Sequence, residues 1–236
     1  MNDLTNIGKK YGTDKAGPQH NYTEAAYYDI LKDLRYEKIK LLELGVGDTG
    51  ASVKMWREFL PNAEIILFDP FFIQQHDVTV TPEELEDLNI SVVMGNQLSR
   101  EDLSKLSSGD KYDIIIDDAS HISDGIQISL AFLFPYLKNG GVYIVEDLHC
   151  ARDRDRRLHQ VNAWLDSDNV DQNINKTYHR EEVHLLDSLI HCKQNSYWKS
   201  LLLNDQEREY LVKNIKEYEI FKDYNSRDNL VIIKKV

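Results

Sequence analysis

Two acidic clusters, Asp117-Asp118-Ala119-Ser120-His121 and Glu146-Asp147, each follow a short apolar run, Tyr112 to Ile116 and Gly141 to Val145. Runs that are β-branched and bounded by polar or glycine residues read as buried strands, so the acids lie where strands leave a sheet. Carboxylates gathered in one crevice repel each other unless they are protonated or hold a cation. An all-oxygen set of Asp118, Glu146 and Asp147 suits Mg²⁺ or a similar hard ion better than zinc. Adjacent residues of a regular strand point to opposite faces, so Glu146 and Asp147 can serve one ion only if the chain turns there. His121 follows Asp118 by three residues, and a neutral imidazole beside a cation can take a hydroxyl proton. His20 and His149 are rival bases.

Upstream, Leu41 to Gly50 ends a strand and opens a helix, with Gly45, Gly47 and Gly50 in G-x-G-x-x-G spacing. A nucleotide cofactor approaches such a backbone closely. Asp69 closes the next strand, where an acid binds both ribose hydroxyls. Asn96 and Gln97, after the third strand, sit where adenine-side contacts arise, and Asp117 is assigned to the cofactor as well. NAD and S-adenosylmethionine share this layout, so the glycines and Asp69 point to an adenosine cofactor and do not choose between the two.

The elements that must position these residues alternate along the chain. Asn21 with Glu24 has capping-box spacing, and Tyr27, Ile30, Leu31 and Leu34 then fall on one helix face. Strands are expected at 39–44, 64–69, 90–94, 112–117 and 141–146, with helices at about 50–60, 100–107 and 123–138 between them. That alternation predicts an α/β fold, a doubly wound Rossmann-like parallel sheet; if its strand order is 3-2-1-4-5, the glycine loop, Asp118 and Glu146-Asp147 lie on neighbouring strands. Beyond Cys150 the texture changes: residues 166–180 read as a polar loop, followed by helices at about 181–193 and 205–216, the second opened by Asn204 and Glu207. Two strand-like runs, Tyr218 to Tyr224 and Asn229 to Lys235, read as an antiparallel hairpin about Asn225-Ser226-Arg227-Asp228. One domain over 1–236 is expected, with 1–38 capping the substrate or cofactor and 151–217 a helical insertion or lid after strand 5.

Composition narrows the partners. The 28 basic against 40 acidic residues give a formal charge of -12, which argues against nucleic acid, since phosphate binding needs clustered Lys and Arg. The one dense run, Arg152 to Arg157, mixes Arg with Asp and reads as a solvated face or lid edge. Cys150 and Cys192 are too few for a disulfide framework or a zinc site, which fits a reducing cytoplasm. Met1 to Lys10 lacks the apolar core of a secretory signal, and no apolar run approaches the roughly 20 residues that span a bilayer. A cytoplasmic protein with no membrane partner is expected, assembled as a homo-oligomer.

The acid two residues before the first glycine, Glu43 in Leu-Glu-Leu-Gly-Val-Gly, resembles motif I of class I methyltransferases and favours S-adenosylmethionine over NAD. A wider resemblance covers roughly residues 8–148. Gly12-Thr13-Asp14-Lys15 with His20 and Tyr22, the glycine loop, Ser52 to Trp56, Asp69, Gly95-Asn96-Gln97, Ile116 to His121 and Val145-Glu146-Asp147 together resemble the bacterial metal-dependent sugar O-methyltransferases of the mycinamicin and demethylmacrocin type. The resemblance implies that Asp118, Glu146 and Asp147 bind Mg²⁺ and that His121 is the general base. It also implies a sugar hydroxyl as acceptor, attacking the cofactor's methyl group in line. Asn96 stands where the family more usually has an acid, and Ala119 where it has a glycine. The chain is further expected to lack the extra N-terminal domain of the macrolide enzymes and to carry a distinctive tail after residue 150.

The expected function is therefore S-adenosylmethionine- and Mg²⁺-dependent methylation of a sugar hydroxyl, on a nucleotide-linked sugar or a glycan precursor of polysaccharide biosynthesis. Glu43, Gly45, Gly47 and Asp69 would hold the cofactor, and Thr13 and Lys15 its amino-acid end or the acceptor. His121 and Asp118 would carry the chemistry. The rivals are a catechol-type O-methyltransferase on an aromatic diol, an NAD-linked oxidoreductase, and a noncatalytic cofactor-binding protein. The second is disfavoured by the absence of a Ser/Tyr-x-x-x-Lys pair beside the cleft, and the third does not need four reactive side chains together.

Overall fold

Continuous apolar runs along the inner strands load both faces of one sheet, because successive residues of a strand point to opposite sides. The computed structural model describes residues 1–18, 20–71, 78–148, 185–200, 202–222 and 228–236, with backbone only at 228 and 229. The strands are β1 (Lys40–Leu44), β2 (Glu64–Asp69), β3 (Ile90–Met94), β4 (Tyr112–Asp117), β5 (Leu137–Val145), β6 (Ile215–Lys222) and β7 (Asp228–Lys235). They form one sheet in the order β3-β2-β1-β4-β5-β7-β6. The first five run parallel, and β7 pairs antiparallel with both β5 and β6. The expected order and the terminal hairpin are both present, and the C-terminal strand of the hairpin is the inner one.

Leu42, Leu44, Phe68, Ile115, Tyr143, Val145, Val231 and Ile233 pack on one face with helices α5 (Arg100–Ser104), α6 (Ser123–Leu133) and α7 (Leu185–Asn195), while α8 (Asp205–Asn214) adds Leu211. Leu41, Ile65, Leu67, Ile114, Ile116, Ile144 and Ile232 pack on the other with α1 (Asp3–Tyr11), α2 (Tyr28–Leu31), α3 (Ala51–Phe59) and α4 (Pro82–Glu86). The sheet is thus covered on both sides, as a parallel sheet must be. Lys235 ends β7 by donating from Nζ to the carbonyls of Phe134 and Leu137 at 2.9 and 2.8 Å. It fastens the last strand to the turn before β5.

Several boundaries differ from expectation for identifiable reasons. The helix expected to 138 stops at Leu133 and β5 begins at Leu137, because Pro135 lies in the short 3-10 turn that follows and cannot donate to a continuing helix. Asn21 and Glu24 form no capping box: Asn21 is left-handed at φ 51°, and Glu24 accepts instead from the backbone N–H of Asn2 at 2.8 Å. The chain there takes one wide turn over Thr23–Tyr27 before α2. Helices α1 and α4 were not foreseen, although α4 opens with a full Thr81 and Glu84 capping box. The Asn204 and Glu207 box that opens α8 is present as expected. The start of the helix expected at 181, His149, Cys150, the Arg152 to Arg157 run, the 166–180 loop and Asn225 to Arg227 lie outside the described residues. Among the described residues no helix is long and apolar enough to cross a membrane.

β1 and β4 come closest where the glycine loop starts. A Cβ on Gly45 would lie 2.2 Å from the backbone oxygen of Asp118, and the residue's φ is 100°. Gly45→Ala is therefore expected to destabilise the fold by roughly 3 kcal/mol or more, since backbone overlap adds to dihedral strain. Gly140→Ala is the control: φ is 79° with nothing within 4 Å of the added Cβ, so only strain of about 1 kcal/mol applies. Denaturant melts giving equal losses for the two would remove the close-approach explanation.

Candidate active site

The carboxyl ends of β1, β4 and β5 finish level with one another. Leu44 lies opposite Asp117 and Asp117 opposite Val145, and the next residues are tied across by Asp118 N–H to Leu44 O and Glu146 N–H to Asp117 O, both 3.0 Å. Register alone therefore brings the glycine loop and both acidic clusters to one crevice. His121 and Asp147 each adopt φ 53°, a left-handed conformation that is uncommon for such residues and recurs at functional sites. The chain bends at the left-handed Asp147, but Glu146 stays directed inward while Asp147 faces the opening.

The four carboxylates fall into two layers. Glu43 and Glu146 are sealed, with side chains 0% and 2% exposed, while Asp118 and Asp147 reach the opening at 23% and 16%. Lys15, itself 1% exposed, lies among them. Its Nζ donates to Asp118 Oδ2 and sits 2.9 Å from Glu146 Oε1 and 3.6 Å from Glu43 Oε1. Local structure delivers it there: Gly12 ends α1 in the left-handed region, and Thr13 Oγ1 then accepts from the Lys15 N–H at 3.4 Å, capping the turn Asp14–Ala16. Burial would lower the Lys15 pKa, but the charges of Asp118, Glu146 and Glu43 raise it well above the ordinary lysine value. Burial pushes Glu43 up to about 7 against the pull of the Lys15 charge and of the neighbouring Ser52 and Trp56 side chains. Tyr27 OH donates to Glu146, and Trp56 Nε1 to Glu43 Oε2 at 3.0 Å.

In the outer layer His121 Nε2 lies 3.8 Å from Asp118 Oδ1 and 3.9 Å from Asp147 Oδ2. Ligand atoms of Asp118, His121 and Asp147 all lie within 4.8 Å of one another, a spacing one metal ion can bridge. Tyr22 OH donates to Asp147 Oδ1 at 2.8 Å, and His20 Nδ1 lies 3.4 Å from the same oxygen. Burial opposes the charge on Asp147, yet the hydrogen bonds from His20 and Tyr22 and the nearby His121 hold it well below the usual carboxylate range. Two carboxylates facing one opening suit a hard divalent cation. Of the expected ligands, Asp118 and Asp147 come together there, and Glu146 lies beneath them against Lys15.

One pocket of about 540 Å³ spans this cluster and the glycine loop, lined among others by Gly12 to Lys15, Gly45 to Thr49, Asp69, Asn96, Gln97, Asp118, His121 and Asp147. Asp69 Oδ2 accepts from the Val46 N–H at 3.0 Å, which fixes the loop to the end of β2. Asn96 Oδ1 accepts from the Leu98 N–H at 2.9 Å, and its Nδ2 is buried with no partner, a donor available to a ligand.

Two residues assigned to the cofactor side do not line the pocket. Asp117 turns into the core, accepting from Gln97 Nε2 at 2.6 Å, Ser129 Oγ at 2.6 Å and Tyr143 OH at 2.9 Å, and burial pushes it up to about 6. Glu43 faces Trp56 and Lys15. Strand alternation accounts for Asp117, because its neighbour Asp118 takes the outward direction. Gln97 lines the pocket but is also committed inward, to Asp117 and Ser120. Sequence reasoning overlooked the hydroxyl roles of Tyr22 and Tyr27 and the presence of Asp14 and Asp48 in the lining. Tyr27 was legible only as an apolar-face residue, since nothing local shows that its hydroxyl meets Glu146 far along the chain.

No protein-family model matches the chain. Curated proteins similar to it include two O-methyltransferases. The mycinamicin VI 2''-O-methyltransferase of Micromonospora griseorubida is 32% identical over 157 residues, 63% of this chain and 37% of that protein. The demethylmacrocin O-methyltransferase of Streptomyces fradiae is 31% identical over 157 residues, again 63% of this chain and 37% of that protein. The chain thus spans about 37% of the length of the curated relatives it matches. Among solved structures, the MycE methyltransferase from the mycinamycin biosynthetic pathway, in complex with Mg, SAH and mycinamycin VI, superposes with a TM-score of 0.68 at 25% identity, covering 99% of this chain and 54% of that one. The O-methyltransferase TomG from Streptomyces achromogenes shares the fold, with a TM-score of 0.51 at 10% identity over 100% of this chain and 91% of that one. The fold is that of the Rossmann-like class I methyltransferases, with antiparallel terminal strands.

Glu43 offers a test of the inner layer. Its folded pKa of about 7 exceeds the ordinary 4.5, so the folded chain holds a proton that the unfolded chain has released across that window. Stability from this group is therefore fully present below the lower value and falls as pH rises toward the upper one. Glu43→Gln should flatten that part of the stability profile in thermal melts run in chelator. An unchanged slope would mean that Glu43 is not the buried acid responsible.

Proposed function

We propose that the chain is an S-adenosylmethionine- and divalent-cation-dependent O-methyltransferase acting on a sugar hydroxyl. The observation that carries this reading is the single pocket in which the glycine loop and Asp69 stand beside Asp118, His121 and Asp147. The relatives support it through what their names state of them: 2''-O-methylation of mycinamicin VI in one, and binding of Mg and SAH in the MycE structure. Mg²⁺ is the ion proposed here, held by Asp118 and Asp147 with Glu146 in reserve.

The lining also bears on the acceptor. Among its described residues are Asp14, Asp48, Asp69, Asp118 and Asp147, with no arginine, and its one lysine is buried in the inner layer. A nucleotide diphosphate would meet carboxylates where it needs cations, so an uncharged sugar suits this pocket better than a nucleotide-linked one. The same described lining contains no Phe, Tyr or Trp, which favours a sugar over a catechol-type ring.

S-adenosylmethionine would supply an electrophilic methyl group and leave as the neutral thioether, while a divalent cation would supply Lewis acidity toward the acceptor hydroxyl. Asp69 and the backbone of the glycine loop orient the adenosyl group. His121 Nε2 takes the hydroxyl proton, and the carboxylates of Asp118 and Asp147 on either side stabilise the imidazolium that results. The buried base of the pocket keeps bulk water from the reacting atoms.

Transfer of a labelled methyl group to a panel of free and glycoside-linked sugars tests the reading. Excess chelator should abolish transfer and Mg²⁺ restore it, with Asp118→Asn imitating the chelator; full activity in chelator would leave the carboxylates without this role. His121→Ala should keep calorimetric affinity for Mg²⁺ and S-adenosylhomocysteine while losing about 10²–10⁴-fold in turnover, the usual range for a general base. If His20→Ala shows that loss and His121→Ala does not, the base is His20. Asp69→Ala should weaken S-adenosylhomocysteine binding, and tight NAD binding with no response to S-adenosylhomocysteine would refute the cofactor assignment.

A further inference from the structure

The inner layer contains one cation and more carboxylate than it can satisfy. Lys15 Nζ is seated on Asp118 Oδ2 and on Glu146 Oε1, the latter at 2.9 Å. Its third neighbour, Glu43 Oε1, is 3.6 Å away, buried, and accepts no hydrogen bond. A buried carboxylate oxygen left without a donor is costly and calls for an explanation. The other oxygen of Glu43 is fixed by Trp56 Nε1 at 3.0 Å, so the vacant oxygen is held facing the ammonium and cannot turn away. Asp118 meanwhile divides its two oxygens, Oδ2 toward Lys15 and Oδ1 toward His121 and the outer layer. A divalent ion at the outer layer and the ammonium would share that carboxylate and repel each other.

We propose that Lys15 is a placeholder cation with two seats: it holds Asp118 and Glu146 in position in the cation-free protein, and moves to the vacant oxygen of Glu43 when a divalent ion draws Glu146 toward the outer layer. The inference rests on the divalent-cation reading above. It assigns Glu43 a positioning role in ion binding, without contact to the ion. It also gives the Gly12 to Lys15 segment, which lines the pocket, a direct link to the ion's arrival.

Calorimetric titration with Mg²⁺ alone, without methyl donor or acceptor, tests this on the full chain, Lys15→Met, Glu43→Gln and the double variant. Lys15→Met should bind Mg²⁺ about tenfold tighter or more, because a like charge has been removed from beside the ion. Glu43→Gln should bind it several-fold more weakly, but only where Lys15 is present, so that the double variant matches Lys15→Met, a coupling that a double-mutant cycle isolates. Equal or weaker binding by Lys15→Met overturns the proposal. So does a Glu43→Gln loss of the same size in both backgrounds, which would be plain charge removal, and so does a full chain that binds no Mg²⁺. If Lys15→Met fails to fold in chelator, recovery of its circular dichroism on adding Mg²⁺ supports the placeholder role, and no recovery overturns it. Labelled-methyl transfer by the unaltered chain tests the enzymatic reading separately, since Mg²⁺ binding is measured here without it.

Discussion

A single buried ammonium among carboxylates is the constraint on which the rest of the site depends. Lys15 is charged at a position 1% exposed, and a charge out of water is tolerated only when it is paired and hydrogen-bonded. Its partners come from three different strand ends: Glu43 from β1, Asp118 from beyond β4 and Glu146 from beyond β5. The N-terminal segment is thereby fixed over the carboxyl ends of the sheet by electrostatics as well as by packing. The aromatic residues of that segment complete the attachment, with Tyr27 on Glu146 and Tyr22 on Asp147. The N-terminal segment and the acids at the strand ends form one interaction network.

That network explains the division of labour among the acids. Depth separates them: Glu43 and Glu146 serve the ammonium, whereas Asp118 and Asp147 keep oxygens turned toward the opening. Asp118 belongs to both layers, with one oxygen on the Lys15 ammonium and the other toward His121. A change in either layer is therefore transmitted through one rigid side chain. Asp147 is made a strong anion by His20, Tyr22 and His121, despite burial. The opening thus presents fixed negative charge beside an imidazole, an environment that favours cations and disfavours anionic acceptors.

The backbone supplies the precision. Parallel register sets the ends of β1, β4 and β5 level, and the contact between Gly45 and Asp118 leaves no room for a side chain where the glycine loop passes the acidic cluster. The left-handed residues His121 and Asp147 then turn their side chains toward each other at the point where straight strands would have carried them apart. Asp117 pays for none of this chemistry directly, but its buried bonds to Gln97, Ser129 and Tyr143 anchor the strand end that presents Asp118.

Much of this was determined by sequence alone. Short continuous apolar runs separated by helical patterns predict the parallel sheet, the glycine spacing predicts the loop that lines the pocket, and acids after strands predict Asp69, Asp118 and Asp147 at the crevice, because these are local signals whose geometric meaning is fixed by strand and helix periodicity. The antiparallel hairpin was legible for the same reason. What tertiary structure decided is everything that depends on depth and on partners distant in sequence. Nothing local distinguishes Glu146 from Asp147 as inner and outer, shows Glu43 facing an ammonium instead of a ligand, or reveals that Lys15 ends among acids from three strands. The failed capping box at Asn21 has the same origin: Glu24 had a competing donor in Asn2, which only the packing of α1 against the following turn brings within reach. Periodicity specifies which face a side chain takes, and only the assembled fold specifies what waits on that face.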